Sequence, residues 1–166
     1  MTVNISGATV SGGVNFGSIP AFTYYRWQIT KIRGGGGDGY DQAAEFVFQL
    51  DGVDQTAITG GATVSNPGGA SPGGEGPGNL IDNNLTTKWL DLNFPANGYS
   101  DYIFQFAIPQ RFTGYRWATA NDATWRDPAS WTIAVSNNGT TWITINTITN
   151  YVATESRNTF NSAINF

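Results

Sequence analysis

In "FTYYRWQITKIR", residues 22–33, Tyr25, Trp27 and Ile29 alternate with Arg26, Gln28 and Thr30. A period of two sends successive side chains to opposite faces of an extended strand, so the three apolar residues share one buried face. The same half-buried pattern returns in "AAEFVFQLDG", "DYIFQFAI", "FTGYRWATA", "SWTIAVS" and "TWITINTI". Tyr102, Phe104 and Phe106 make one apolar row, and Phe46 and Phe48 make another. Short runs of this kind, divided by turn clusters, predict an all-β fold: a jelly-roll β-sandwich of two antiparallel sheets. Amphipathic helical register is hard to find in the chain. Tyr-Arg-Trp, at 25–27 and 115–117, recurs too rarely to build a solenoid.

The punctuation between the runs is informative. Asp51-Gly52 ends one strand, and Asn138-Gly139 signals a hairpin between "SWTIAVS" and "TWITINTI". "GGGGDGYD", residues 34–41, holds no regular element and reads as a flexible loop. Residues 59–79, "TGGATVSNPGGASPGGEGPGN", are so rich in glycine and proline that an irregular surface excursion is expected. Residues 1–20 alternate small polar and apolar positions with glycine breaks. They read as a loosely attached strand pair or as an arm that docks on a neighbour and supports a homo-oligomer. The remaining residues, 21–166, form a single domain.

Composition removes whole classes of chemistry. Only 12 % of the 166 residues are charged, against 14 % aromatic, and the formal net charge is −4. Eight scattered lysines and arginines do not make a nucleic-acid surface. No apolar run is long enough to insert in a bilayer, and the start of the chain has neither the basic nor the apolar segment of a classical secretion signal. Localisation stays open between a virion surface and release without a cleaved signal. The chain has no cysteine and no histidine. Disulfides, thiolate metal sites, imidazole ligands and histidine-based triads are therefore excluded, and any metal must be held by oxygen.

"NLIDNNLTTKWLD", residues 79–91, supplies such oxygens. Asp82, Asn84 and Thr87 offer a carboxylate, an amide oxygen and a hydroxyl in one polar turn, with main-chain carbonyls nearby. Calcium takes roughly six to eight oxygens in flexible geometry. A single carboxylate under-neutralises a doubly charged ion, so a second acid is expected from another strand. Glu45, in "QAAEFVF", is the best candidate. The alternative is a turn held by its own Asx-type hydrogen bonds without metal.

"IDNNLTTKW" resembles the Asp-Gly-Asn-x-x-Thr-x-Trp turn of discoidin, or factor V/VIII C-type, domains, and of galactose-type carbohydrate-binding modules with the same sandwich. "RDPASWTIAVSNNGTTW", residues 126–142, is similar to their Arg-Asp-Pro-x-Ser-Trp segment and the Ser-Asn-Asp-Gly-x-x-Trp that follows it. "QAAEFVF" resembles the strand whose Ala-Glu or Ser-Glu pair completes a calcium site in many members. The resemblance runs from about residue 22 to residue 146. It implies a structural calcium held by the side chains of Asp82, Asn84, Thr87 and Glu45 and by the carbonyls of Thr87 and Ala44. Asn83 stands where the family has glycine, a residue that also tolerates left-handed backbone. The Glu-bearing strand precedes the turn here, which implies a permuted strand order. The same resemblance places Trp89, Trp131 and Trp142 in the core, and their strand positions do the same for Trp27 and Trp117.

Trp125 stands apart, in "ANDATWRDPAS", with Asn121, Asp122, Arg126 and Asp127 around it. Sugars stack a ring face on an aromatic side chain and bond their hydroxyls to Asn, Asp and Arg. Ligand binding is therefore assigned to Trp125, Arg126, Asn121 and Asp122, with Tyr40 and Tyr99 as weaker candidates. The alternative is structural: Trp125 caps the sandwich while Arg126 and Asp127 pair with each other. Few acids sit outside turns, so the facing carboxyl pair of a glycosidase is not expected, and an enzyme is the poorest fit. The functional expectation is a non-catalytic, lectin-like module that binds a glycan or cell-surface polysaccharide and carries calcium. The alternative is an assembly protein, such as a virion decoration or fibre component of a bacteriophage, contacting other structural subunits. Phospholipid binding would need apolar loop tips beside basic residues, and little in the chain supplies them.

Overall fold

The computed structural model describes residues 20–34 and 36–166. The N-terminal arm expected over residues 1–20 lies outside the described residues except for Pro20. In chain order the strands are β1 (Phe22–Ile32), β2 (Asp41–Ala43), β3 (Glu45–Leu50), β4 (Val53–Asp54), β5 (Thr63–Ser65) and β6 (Trp89–Asp91). They continue with β7 (Ser100–Gln110), β8 (Gly114–Ala118), β9 (Pro128–Ser136), β10 (Ile143–Ile148) and β11 (Ile164–Asn165). A five-stranded sheet runs β10-β9-β1-β7-β5 and a four-stranded sheet runs β11-β8-β3-β4, with a separate β2–β6 ribbon. Every pairing is antiparallel, as the sandwich reading expects.

The period-two rows fill the space between the sheets. From the five-stranded sheet come Tyr25, Trp27 and Ile29, then Tyr102, Phe104 and Phe106, then Trp131, Ile133 and Val135. Phe46, Phe48, Tyr115 and Trp117 face them from the other sheet. The rings meet in offset and edge geometries: Trp27 lies 5.0 Å from Phe46, and Trp117 meets Trp131 edge-on at 6.0 Å. Each buried aromatic removes roughly 150–250 Å² from water, so these rings dominate the stability of the fold. Trp131 donates its indole N–H to the Tyr115 hydroxyl at 2.6 Å, which ties one sheet to the other. Trp27, Trp89, Trp117 and Trp131 are buried as expected.

Trp142 is not. It sits half-buried outside the sandwich, edge-on to Tyr24 and beneath the Arg26 guanidinium at 4.8 Å. It falls just before β10, and there it meets the outward face of β1, where Tyr24 and Arg26 point. Cation–π contact with Arg26 replaces core burial.

Residues 59–79 also differ from expectation. Thr63–Ser65 forms β5, an edge strand paired with β7 through Val64 opposite Phe104. Thr63 and Val64 are β-branched, and Val64 packs on the core, which is enough to seat three residues as a strand. The rest of the excursion is fastened by backbone bonds from Leu90 to Glu75 and from Leu92 to Ala70.

The expected turns form. Asp51 and Gly52 both take positive φ, 51° and 80°, the requirement of a two-residue type I′ hairpin between β3 and β4. Gly139 (φ 71°) turns the β9–β10 hairpin, while the Asn138 side chain accepts the N–H groups of Thr140 and Thr141.

A bend at Ala44 positions the functional end. Before it, Asp41–Ala43 pairs with β6; after it, Glu45 enters the four-stranded sheet opposite Ala118 at the end of β8. The loop following β8 and the turn preceding β6 are thereby brought to the same end of the sandwich.

Candidate functional site

The Asp82 turn begins as a short 3-10 turn, Pro77–Ile81, ends. Asn83 holds it open with φ 58°, the left-handed conformation that glycine would otherwise supply. Glu45, distant in sequence, reaches it: the Asn84 N–H donates to Glu45 Oε1 at 2.8 Å and to Asp82 Oδ1 at 2.9 Å. The Thr87 hydroxyl donates to Asp82 Oδ2 at 2.7 Å, and the Asn84 side-chain oxygen accepts from Thr86. Asp82, Asn84, Thr87 and Glu45 thus gather at one place, while Ala44, the residue before Glu45, is fixed through its N–H to the Ala118 carbonyl.

The electrostatics of this turn are unbalanced. Glu45 is 5 % exposed, and neither it nor Asp82 pairs with a lysine or arginine among the described residues. Burial, followed by the adjacent Asp82 carboxyl, pushes the Glu45 carboxyl up to about 8. A cleft of about 120 Å³ opens beside Glu45 and Asn83, lined also by Arg116 and Phe160. No group of three or more Asp or Glu side chains is placed to hold a metal ion among the described residues. A cation here would therefore rest on two carboxylates and neutral oxygens. The donor set fits a hard ion: all oxygen, no internal counter-charge, and two carboxyls, of which Glu45 would give up its proton to the ion.

The second constellation is the loop after β8. Its short 3-10 turn, Thr124–Arg126, starts from Ala123 at φ 41°. Trp125 is half-buried, its indole packed so closely on the backbone of Gly36 that no side chain would fit there. Its N–H points to Asp38 Oδ1 at 3.4 Å. The glycine-rich loop is irregular over residues 36–40, as expected, but Asp41 opens β2, and the loop is docked: Gly34 N–H bonds the Trp125 carbonyl at 2.8 Å.

Arg126 and Asp127 do not pair with each other, contrary to the structural alternative. Arg126 grips Asp38, with Nε 3.1 Å from both carboxylate oxygens, and lies 5.4 Å from the Tyr40 ring. Asp127 is fully buried and takes two bonds of 2.8 Å from Arg157, with Arg33 at 3.3 Å. The 3-10 turn ends at Arg126 and Asp127 takes up extended backbone, so the two side chains leave in different directions and each finds its own partner. The hydrogen bond from Arg126 holds Asp38 below the usual carboxylate range.

Asp122 and Asn121 are exposed at the rim. Both Asp122 oxygens accept from Lys88 Nζ, at 2.8 and 2.9 Å. Burial works against the Asp122 charge, but the bonds from Lys88 and Gln42 outweigh it and keep the carboxyl below its ordinary range. Gln42, fully buried, donates to the Asp122 carbonyl at 2.9 Å and accepts from Lys88 at 3.2 Å. Lys88, Gln42 and Asp38 were not among the residues that sequence patterns single out. The one available signal was Lys88 itself, a lysine wedged between Thr87 of the oxygen-rich turn and a core tryptophan. It joins the two constellations, because the turn ends at Thr87 and the next side chain reaches the Trp125 loop. Tyr99 is 39 % exposed just before β7.

Among the described residues no helix is long and apolar enough to cross a membrane. The family model of the F5/8 type C domain matches residues 61–166, well over half of the chain. Neither the curated proteins nor the solved structures compared with the chain yield a match. Strands β1 and β3 precede the matched stretch, yet both are interior strands of their sheets, so the domain includes them. The sequence match, the two-sheet antiparallel architecture and the oxygen-rich turn before Trp89 agree: the chain belongs to the F5/8 type C, or discoidin, domain family, whose members are generally non-catalytic binding modules for carbohydrates or phospholipids.

Proposed function

We propose that this chain is a non-catalytic glycan-binding module, with its sugar surface on the loops around Trp125 and a structural calcium in the Asp82 turn. The observation that carries the reading is the loop end itself. A half-buried indole stands beside Arg126 and Asp122, each already oriented by a partner, with Asn121 and Tyr40 at the edges. Oriented polar groups beside an aromatic face are what a pyranose ring needs: the apolar face stacks and the hydroxyls replace water on fixed donors and acceptors. Prior ordering lowers the entropic cost of binding.

Calcium would be held by the side chains of Asp82, Asn84, Thr87 and Glu45 and by the carbonyls of Ala44 and Thr87. Its contribution is to neutralise two facing carboxyls and stabilise the folded chain that binds it. Through Lys88, the residue after Thr87, a fixed turn also fixes Asp122. Sugar binding is therefore expected to weaken when the cation is removed.

A glycan array probed with and without chelator tests this. Saturable binding to a sugar class, reduced by chelator and lost in Trp125→Ala, is the expected result. A folded protein that is silent across the array, or whose binding is untouched by Trp125→Ala, overturns the assignment of the sugar surface.

A further inference from the structure

The cleft beside Glu45 and Asn83 runs past the Asp82 turn onto the outer side of the four-stranded sheet. Val47 on β3 and Arg116 on β8 are opposed in register, so both side chains stand on the face turned away from the core. One helical turn, Thr56–Gly60, walls that face, and Phe160, next to Ala118 at the end of β8, walls it from the other side. The space between them measures about 120 Å³, and Asp54 and Ile81 also line it.

Arg116 is fixed in this cleft on two sides. Its guanidinium carbon lies 4.0 Å from the centre of the Phe160 ring, a cation–π contact. Its Nε donates to Asp54 Oδ1 at 3.1 Å and its Nη2 to Asp54 Oδ2, while Gln49 Nε2 steadies the same Oδ1 at 2.8 Å. That fork occupies one edge of the guanidinium. The Nη1 group takes no partner among the described residues, so its two N–H donors are held in place with nothing to bond. The Thr56 hydroxyl and the Asn83 side-chain amide, both exposed at the rim, are likewise uncommitted among the described residues. Oriented polar groups with spare capacity, set beside apolar walls, are what a small polar ligand needs.

Size and charge choose the ligand. A closed space of roughly 150 Å³ holds one benzene ring, so a cleft of 120 Å³ that opens to solvent suits a single six-membered ring. Asp54 cancels the charge of Arg116, and the Glu45 and Asp82 carboxyls at the far end add none that is positive. With or without an ion in the turn, the cleft offers an anion no net attraction. We infer that this cleft is a second binding site, for one neutral sugar ring, with Arg116 Nη1, Asn83 and Thr56 bonding its hydroxyls. Ile81 and Phe160 take its apolar side. None of these residues belongs to the Trp125 surface, so either site can fail alone.

Titration of the purified chain with a panel of free neutral hexoses and N-acetylhexosamines, followed by two-dimensional proton–nitrogen NMR, tests this. At least one sugar is expected to shift the Arg116 Nε–H and Asn83 amide signals saturably. Asn83→Gly removes the side-chain amide but suits the backbone at φ 58°, and it should weaken that binding about fivefold. Thr56→Trp, at the exposed first residue of the helical turn, fills the mouth of the cleft and should abolish it. The spectra also report whether each variant folds, and Asn83→Gly carries the test if Thr56→Trp does not. If no sugar moves the Arg116 and Asn83 signals, or if folded Thr56→Trp binds as the wild type does, the cleft site is refuted. Shifts confined to the Trp125 indole and its loop refute the cleft and leave the loop surface standing. Shifts confined to the cleft support it and remove the loop assignment.

Discussion

The Trp125 loop and the Asp82 turn occupy one end of the sandwich and handle charge in opposite ways. In the loop, every acid that bears on the site meets a cation from the same chain: Asp122 with Lys88, Asp38 with Arg126, and Asp127 with Arg157 and Arg33. In the turn, acid meets acid, because Glu45 lies against Asp82. The first region needs nothing from solution to be electrically complete. The second has no lysine or arginine paired with either acid among the described residues, and its charge is met by a proton on Glu45 or, under the proposed function, by a cation. The two regions are joined through a single residue, Lys88, which follows Thr87 of the turn and holds both oxygens of Asp122 in the loop.

The largest effect is expected where the self-contained region is cut. Asp127→Ala leaves two arginines facing a buried hole and should cost about 3–5 kcal/mol in urea denaturation. Added calcium should not restore it; rescue by calcium would break the contrast. Next comes removal of the external charge. At roughly a hundred times its Kd, a cation bound only by the folded state adds about 2.7 kcal/mol. Chelation should remove a stabilisation of that order from the wild type and less from Glu45→Gln, as read by the thermal midpoint.

Gly36→Ala probes the loop more gently. A methyl group there would collide with the Trp125 ring and displace it, so glycan affinity should fall about tenfold, roughly 1.4 kcal/mol, by calorimetry. Unchanged affinity would mean that the packed position of the indole is irrelevant to binding. The smallest effect is acid sensitivity. Arg126 lowers the Asp38 carboxyl in the folded chain, so this pair contributes stability above the unfolded carboxylate range, about pH 4, and loses it as pH falls through the lower folded value. Asp38→Asn should flatten that acid limb by lowering stability at neutral pH, by well under about 1 kcal/mol for so exposed a pair, while leaving stability below the folded value nearly unchanged.

Much of the sandwich was legible because alternation reports directly on which face is buried. The rows through Trp27, Phe104 and Trp131 needed no more than a period of two. Trp142 misled because a residue at the mouth of a hairpin belongs to neither face until the turn geometry is set. Residues 59–79 misled because one β-branched pair, Thr63-Val64, outweighed the glycines around it. The meeting of Glu45 and Asp82 was readable from motif chemistry. The partners of Arg126 and Asp127 were not, since Asp38 and Arg157 arrive on loops whose paths carry no periodic signal. Asp41 was hidden for the same reason: it follows a glycine run and looked like part of the loop.

The bend at Ala44 has a genetic corollary. Within five residues the chain delivers Asp41 to the interior, Gln42 to the loop and Glu45 to the turn. A strand offset by one position inverts every side it presents. This strip should therefore accept many point replacements at Ala43 or Ala44 of similar size, yet no single-codon insertion or deletion.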